Sequence, residues 1–111
     1  MIEDDNETWL LEAGHEVIEQ MVAAGAPVPH ALRERLIYCL WVADYGMRNA
    51  GDLITAADLY AGFQKEGLAA ARELSLPRAT AAFSLSAADL ERDYFELFDG
   101  IIAEIKGAAS A

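Results

Sequence analysis

Leu36-Ile37-Tyr38-Cys39-Leu40-Trp41-Val42-Ala43-Asp44-Tyr45-Gly46-Met47 is apolar at nearly every position and contains no proline. A helix that is hydrophobic almost all round is buried over most of its circumference, so this stretch predicts a central helix wrapped by others. Outward from it the apolar residues keep helical spacing, and the alternation that marks a half-buried strand is nearly absent. The reading is an all-α fold: a compact bundle of four main helices with a short extra helix between the third and fourth. With 54% hydrophobic residues in 111, there is material for one core, and no linker divides the chain. Residues 1–111 are therefore read as a single all-helical domain, with 1–6 a flexible acidic N-terminus and 107–111 a frayed C-terminus.

Local signals set the expected boundaries. The first helix is read over residues 7–24, ended by Gly25 before Pro27 and Pro29. Leu10, Leu11, Val17, Ile18, Met21 and Val22 converge on one side of it together with Gly14, opposite Glu12, Glu16, Glu19 and Gln20. The central helix is placed from near Pro29, because proline suits a first turn, to Gly51, with Asn49-Ala50-Gly51 as its C-cap. Thr55 is the expected N-cap of a third helix over 56–74, with Asp58 near its positive end and Leu59, Tyr60, Phe63, Ala70, Ala71 and Leu74 facing inward. Pro77 interrupts, residues 78–83 make one short turn of helix, and Ser86 repeats the cap signal. The last helix, over 87–106, turns Leu90, Tyr94, Leu97, Phe98, Ile101, Ile102 and Ile105 inward and Arg92, Asp93, Glu96, Asp99 and Glu104 outward.

Charge is distributed unevenly. The first nineteen residues hold Glu3, Asp4, Asp5, Glu7, Glu12, Glu16 and Glu19 and no Lys or Arg, whereas residues 20–88 are balanced, so the net charge of -11 comes from the two ends. Such a field opposes direct binding of nucleic acid, whose phosphates require Lys and Arg, and docking on anionic lipid. It selects a basic partner. Cys39 is the only cysteine and lies in an apolar run, which fits a reducing cytoplasm. An acidic start is unlike a signal peptide, and no apolar run approaches the roughly 18 to 20 residues needed to span a bilayer. A cytoplasmic protein without membrane contact is expected.

Equipment for catalysis is sparse. Glu12-Ala13-Gly14-His15 has the Glu-x-x-His spacing of di-iron bundles. That site also needs a second such motif and two inward glutamates, but His30 has no glutamate three residues before it and Glu12 lies on the polar side. Neither metal nor any other cofactor is expected, and His15 is read as a surface residue. The apolar neighbours of Cys39 make it a structural thiol. Asp44 and Arg48, four apart, are read as an ion pair that lets both tolerate partial burial, with a binding role left open. No phosphate loop, zinc spacing, calcium loop or hydrolase elbow occurs. The chain is read as a non-enzyme with no catalytic residue.

Glu12, Glu16 and Glu19 stand at spacings of roughly 5 to 6 Å along one helix, the arrangement by which carboxylates imitate a row of phosphates. Trp9 falls beside Glu16 and Gln20, where an exposed indole would anchor an interface; the alternative is a side chain folded back onto the core. These four residues with Glu96 and Asp99 form the candidate partner-binding set.

Residues 32–105 resemble the small acidic bacterial DNA-mimic family, an all-helical group. The resemblance rests on Asp44-Tyr45-Gly46-Met47-Arg48-Asn49-Ala50-Gly51-Asp52-Leu53, which is similar to the family's acidic helix ending in Asn-Gly-Gly and an aromatic. Ala50 here stands for the first glycine and Leu53 for the aromatic. Residues 67–77 and 89–105 are similar too, the latter in its Asp-x-x-Tyr-Phe rhythm before an Ile-rich end. The resemblance implies a homodimer whose acidic surface competes with DNA for a basic DNA-binding protein, and surplus aromatics such as Trp41 and Tyr45 on the less buried side of the central helix agree with a dimer. An immunity-type inhibitor of a basic nuclease or toxin shares these electrostatics, and a structural subunit kept soluble by its acidity is the reading from another class.

Overall fold

Residues 5–27, 29 and 31–108 are described by the computed structural model. They form six helices and no strand: α1 (Asn6–Ala24), α2 (Leu32–Ala50), α3 (Ile54–Leu59), α4 (Phe63–Glu73), α5 (Pro77–Phe83) and α6 (Ala87–Gly107). The apolar stretch over residues 36–47 takes the central place its composition requires. α2 packs against α1, α3, α4 and α6, and Leu36, Ile37, Cys39, Leu40, Val42, Ala43 and Met47 are all buried in it. Burial raises the Cys39 thiol pKa to about 12, with Glu66 adding to the shift. One cluster of buried side chains draws on every helix.

Two glycines allow the closest approaches to α2. A β-carbon on Gly14 of α1 would come within 2.8 Å of Trp41 Cγ, so the indole lies across the α1 backbone in place of a side chain. At Gly46 the same carbon would meet the backbone N of Ala56 and O of Asp52 at 2.8 Å. Trp41 is thus engaged within the chain, and of the two aromatics expected on the open side of α2 it is Tyr45 that is exposed.

Boundaries set by local chemistry hold. Gly25 and Gly51 close α1 and α2 in the left-handed conformation, and Ser86 Oγ accepts from the Asp89 amide at the start of α6. Elsewhere the structure departs from expectation. α2 begins at Leu32, and the Pro29 carbonyl instead accepts from Arg35 Nε. The single third helix is two, because Tyr60 takes an extended backbone that brings its ring to 5.5 Å from Tyr38. Thr55 lies inside α3 and does not cap it: Asp52 Oδ1 accepts the Thr55 amide, and Asp58 falls in the last turn. Leu11 and Val22, expected inward, are exposed, since α1 packs chiefly on α2 and buries only the narrow line of Leu10, Gly14 and Val17; Leu59, also expected inward, is exposed at the end of α3, where the helix stops. Asp5 caps α1 through the Glu7 and Thr8 amides, which hold its carboxyl below the usual range. The rest of the expected flexible start, residues 1–4, and of the expected frayed end, 109–111, lies outside the described residues, as does His30.

α4 ends on Ser75, which carries a left-handed φ of 59° while Leu76 N donates to Ala71 O. This conformation suits glycine, and Ser75→Gly is expected to raise stability by about 0.5 to 1 kcal/mol. A urea midpoint that stays put or falls would contradict this account of the turn.

Candidate functional site

α1 and α2 run antiparallel, as the contacts of Glu7 with Arg48 and of Gly14 with Trp41 require. Side chains on their flanks leave an open cleft of about 430 Å³, lined by Trp9, Glu12, Ala13, Glu16, Val17 and Gln20 of α1 and by Arg33, Glu34 and Ile37 of α2. Three carboxylates therefore face a floor made by Val17 and Ile37. Among the described residues Arg33 is the one base in the lining, and its Nε is directed to the Ile105 carbonyl at 3.1 Å, in the last turn of α6. Glu12 and Glu16 are exposed and Glu34 is half-buried. Like charges so placed cost only about 0.2 to 0.5 kcal/mol per helical pair, so the fold carries them easily.

Of the predicted set, Trp9, Glu12 and Glu16 meet in this cleft. Trp9 is half-buried and packs against the core, so the fully exposed indole is corrected to a ring folded back, one side of which still lines the cleft. Lys106 Nζ stands 5.5 Å from its ring centre. Glu19 is exposed on α1 and does not line the cleft. Glu96 belongs to a separate depression with Arg78 between α5 and α6, and Asp99 accepts from Asn6 Nδ2 at 2.8 Å. Gln20, placed beside Trp9 by the sequence, lines the cleft as well, and Glu34 and Arg33, to which the sequence assigns no binding role, complete it. A helical wheel orders residues around one helix, whereas Glu34 joins Glu16 only through the packing of a second.

α6 offers less open charge than its composition suggests. Asp89 and Asp93 pair with Arg92 at 3.0 and 2.8 Å, and Asp93 is held below the usual carboxylate range by that contact. Glu91 accepts the Leu53 amide. Glu104, expected outward, is half-buried and accepts from the Arg78 and Ala79 amides at 2.8 and 2.9 Å, because the first turn of α5 has no cap of its own.

The pair read from Asp44 and Arg48 is present and larger than expected. Asp44 is 4% exposed, Arg48 Nε reaches both of its oxygens at 3.0 Å, and the buried Tyr94 hydroxyl donates to Oδ1 at 2.7 Å. The Arg48 guanidinium also lies 3.6 Å from Glu7 and over the rings of Phe95 and Phe98 at 5.0 and 4.9 Å. Burial outweighs these partners and raises the Asp44 pKa, while the same burial, with Asp44 beside it, pushes the Tyr94 hydroxyl well up. With every partner inside the chain, the cluster ties α1, α2 and α6 together. Around it Leu11, Tyr45 and Phe95 are exposed, the last at 51%.

Among the described residues no group of three or more His, Cys, Asp or Glu side chains is arranged to hold a metal ion, and no helix is long and apolar enough to cross a membrane. No protein-family model, curated protein or solved structure matches the chain.

Proposed function

We propose that this chain is a non-enzymatic, cytoplasmic binding protein of the DNA-mimic kind, which occludes the basic surface of a DNA-binding protein. The observation that carries this reading is the α1/α2 cleft, where Glu12, Glu16 and Glu34 surround a Trp9 face and an apolar floor. Carboxylates on a rigid helix pair attract a basic surface, and the indole supplies contact area that simple solubility does not require. Such a protein acts by competition and needs no chemistry.

The test alters charge and leaves shape alone. Changing Glu12, Glu16 and Glu19 together to Gln keeps helix propensity and relieves repulsion, so circular dichroism and melting should match or slightly exceed the wild type. Against a basic DNA-binding protein captured from lysate, affinity should fall by about tenfold or more at low salt, and wild-type binding should fade above about 0.15 M, where the screening length is roughly 8 Å. The wild-type protein should also strip DNA from that partner. Unchanged affinity in a folded triple variant, or DNA that stays bound, would leave only a solvated helix.

A homodimer forms part of the same proposal, supported by the exposed Leu11, Tyr45 and Phe95 gathered around Arg48. Light scattering at about tens of micromolar, a concentration that populates even weak interfaces, should give twice the chain mass. Tyr45→Lys with Phe95→Lys should give one. A wild-type monomer removes the dimer from the proposal.

A further inference from the structure

The cleft holding Glu12 and Glu16 continues along α1. A second depression of about 290 Å³ shares Val17, Gln20 and Glu34 with it and extends to Met21 and Ala24 on α1 and to Ala26, Pro29 and Ala31 beyond. The walls change character on the way: carboxylates stand beside Trp9, and aliphatic groups surround Met21. The two depressions thus adjoin along the α1/α2 seam, one acidic and the other mainly apolar, and together offer the surface of a single groove. From Trp9 to Ala24 a helix rises about 23 Å at 1.5 Å per residue.

We infer that this groove receives a single amphipathic α-helix of a protein partner, about fifteen residues long, bearing Lys or Arg beside Glu12, Glu16 and Glu34 and aliphatic side chains beside Val17, Met21 and Ala24. The inference rests on the proposed function and names the element of the partner that docks. A trough between two helices takes anchors spaced i, i+3, i+4 and i+7, as a helix presents them. Addition of a peptide as an extra strand is excluded, because the described residues contain no strand. Mixed lining suits Lys and Arg in particular, because their stems cover an apolar floor while the charged head reaches a carboxylate. Lys106 of α6 already stands 5.5 Å from the Trp9 ring centre, so the indole offers a partner contact area and the carboxylates beside it supply the attraction. Arg33 keeps its charge in the lining while its Nε donates to the neutral Ile105 carbonyl, so Glu12, Glu16 and Glu34 outnumber it three to one there.

Three labelled helical peptides of about fifteen residues test it: one with Lys in one half and Leu in the other, one with Glu replacing Lys, and one with Ser replacing Leu. Fluorescence anisotropy should show binding of the Lys/Leu peptide and at least about tenfold weaker binding of each of the others at low salt. The double variant Glu16→Gln, Glu34→Gln should weaken the Lys/Leu peptide about tenfold or more by removing charge. Ala24→Gln should do so separately by placing a bulky amide in the apolar end; Ala24 is exposed, so the fold survives. Equal binding of all three peptides, or unchanged affinity in both variants with the circular dichroism intact, overturns the groove. If a captured DNA-binding protein releases DNA while the Lys/Leu peptide neither binds nor competes, the groove falls and the acidic-face reading stands. Peptide binding that both variants abolish, without occlusion of any basic protein, leaves the groove and removes the DNA-mimic reading.

Discussion

Asp44→Ala is expected to lower stability by about 1 to 3 kcal/mol, the usual cost of leaving a buried donor without its acceptor. The substitution leaves the Tyr94 hydroxyl, in a residue 1% exposed, without its acceptor and takes from Arg48 both hydrogen bonds of its Nε. Arg48 would keep only Glu7 at 3.6 Å and the two phenylalanine faces. Asp44→Asn retains an acceptor for Tyr94 and should lose clearly less. The two variants also differ from wild type in pH dependence. Because the folded pKa of Asp44 is raised, its stabilising contribution is present below the ordinary aspartate value and lost as pH rises through the raised one. Asp5 and Asp93, held below the usual value, act in the opposite sense and at lower pH. Urea melts across this range should therefore show a fall with rising pH in wild type that Asp44→Asn flattens. A loss under about 1 kcal/mol in Asp44→Ala would mean that the pair does not join α2 to α6.

Ile101→Asp is expected to abolish the cooperative melt near neutral pH. Ile101 is 1% exposed on the inner face of α6, within the cluster that all six helices share. An unpaired carboxylate there costs several kcal/mol, comparable with the roughly 5 to 15 kcal/mol of a whole domain. Burial would raise the pKa of the new group, so folding should return in part as pH falls and the carboxyl takes up its proton. Ile101→Val, losing one methylene, should cost only about 0.5 to 1.5 kcal/mol. A melt unchanged by Asp at neutral pH would show that the helix phase of α6 is wrong.

How much of this was legible depends on the range of the interaction that decides each feature. Helix ends fixed within a few residues, at Gly25, Gly51 and Ser86, could be read from the chain because the cap and the capped amides are neighbours. The burial of α2 followed from its composition alone. The break at Tyr60 is masked in the sequence because Leu59 and Phe63 keep helical spacing across it, although Gly62 lies within it and the Tyr60 ring meets Tyr38 of another helix. Leu11 and Val22 were placed inward because a wheel assumes a broad buried face, but α1 has mainly one neighbour. The candidate site shows the same division. Glu12 and Glu16 were readable as an outward pair, whereas Glu34 opposite them and the apolar continuation past Val17 arise only where two helices meet.

α5 has only seven residues, and both of its ends are finished by side chains borrowed from elsewhere. Glu104 of α6 accepts from the amides of its first turn, and Gln64 of α4 donates to the Phe83 and Leu85 carbonyls at its close. A helix this short is not stable alone. Its formation must therefore wait for both neighbours to dock, which makes α4, α5 and α6 one cooperative unit: hydrogen-bonded amides in α5 should show the same opening free energy as those of α6 that face it, however near the surface they lie.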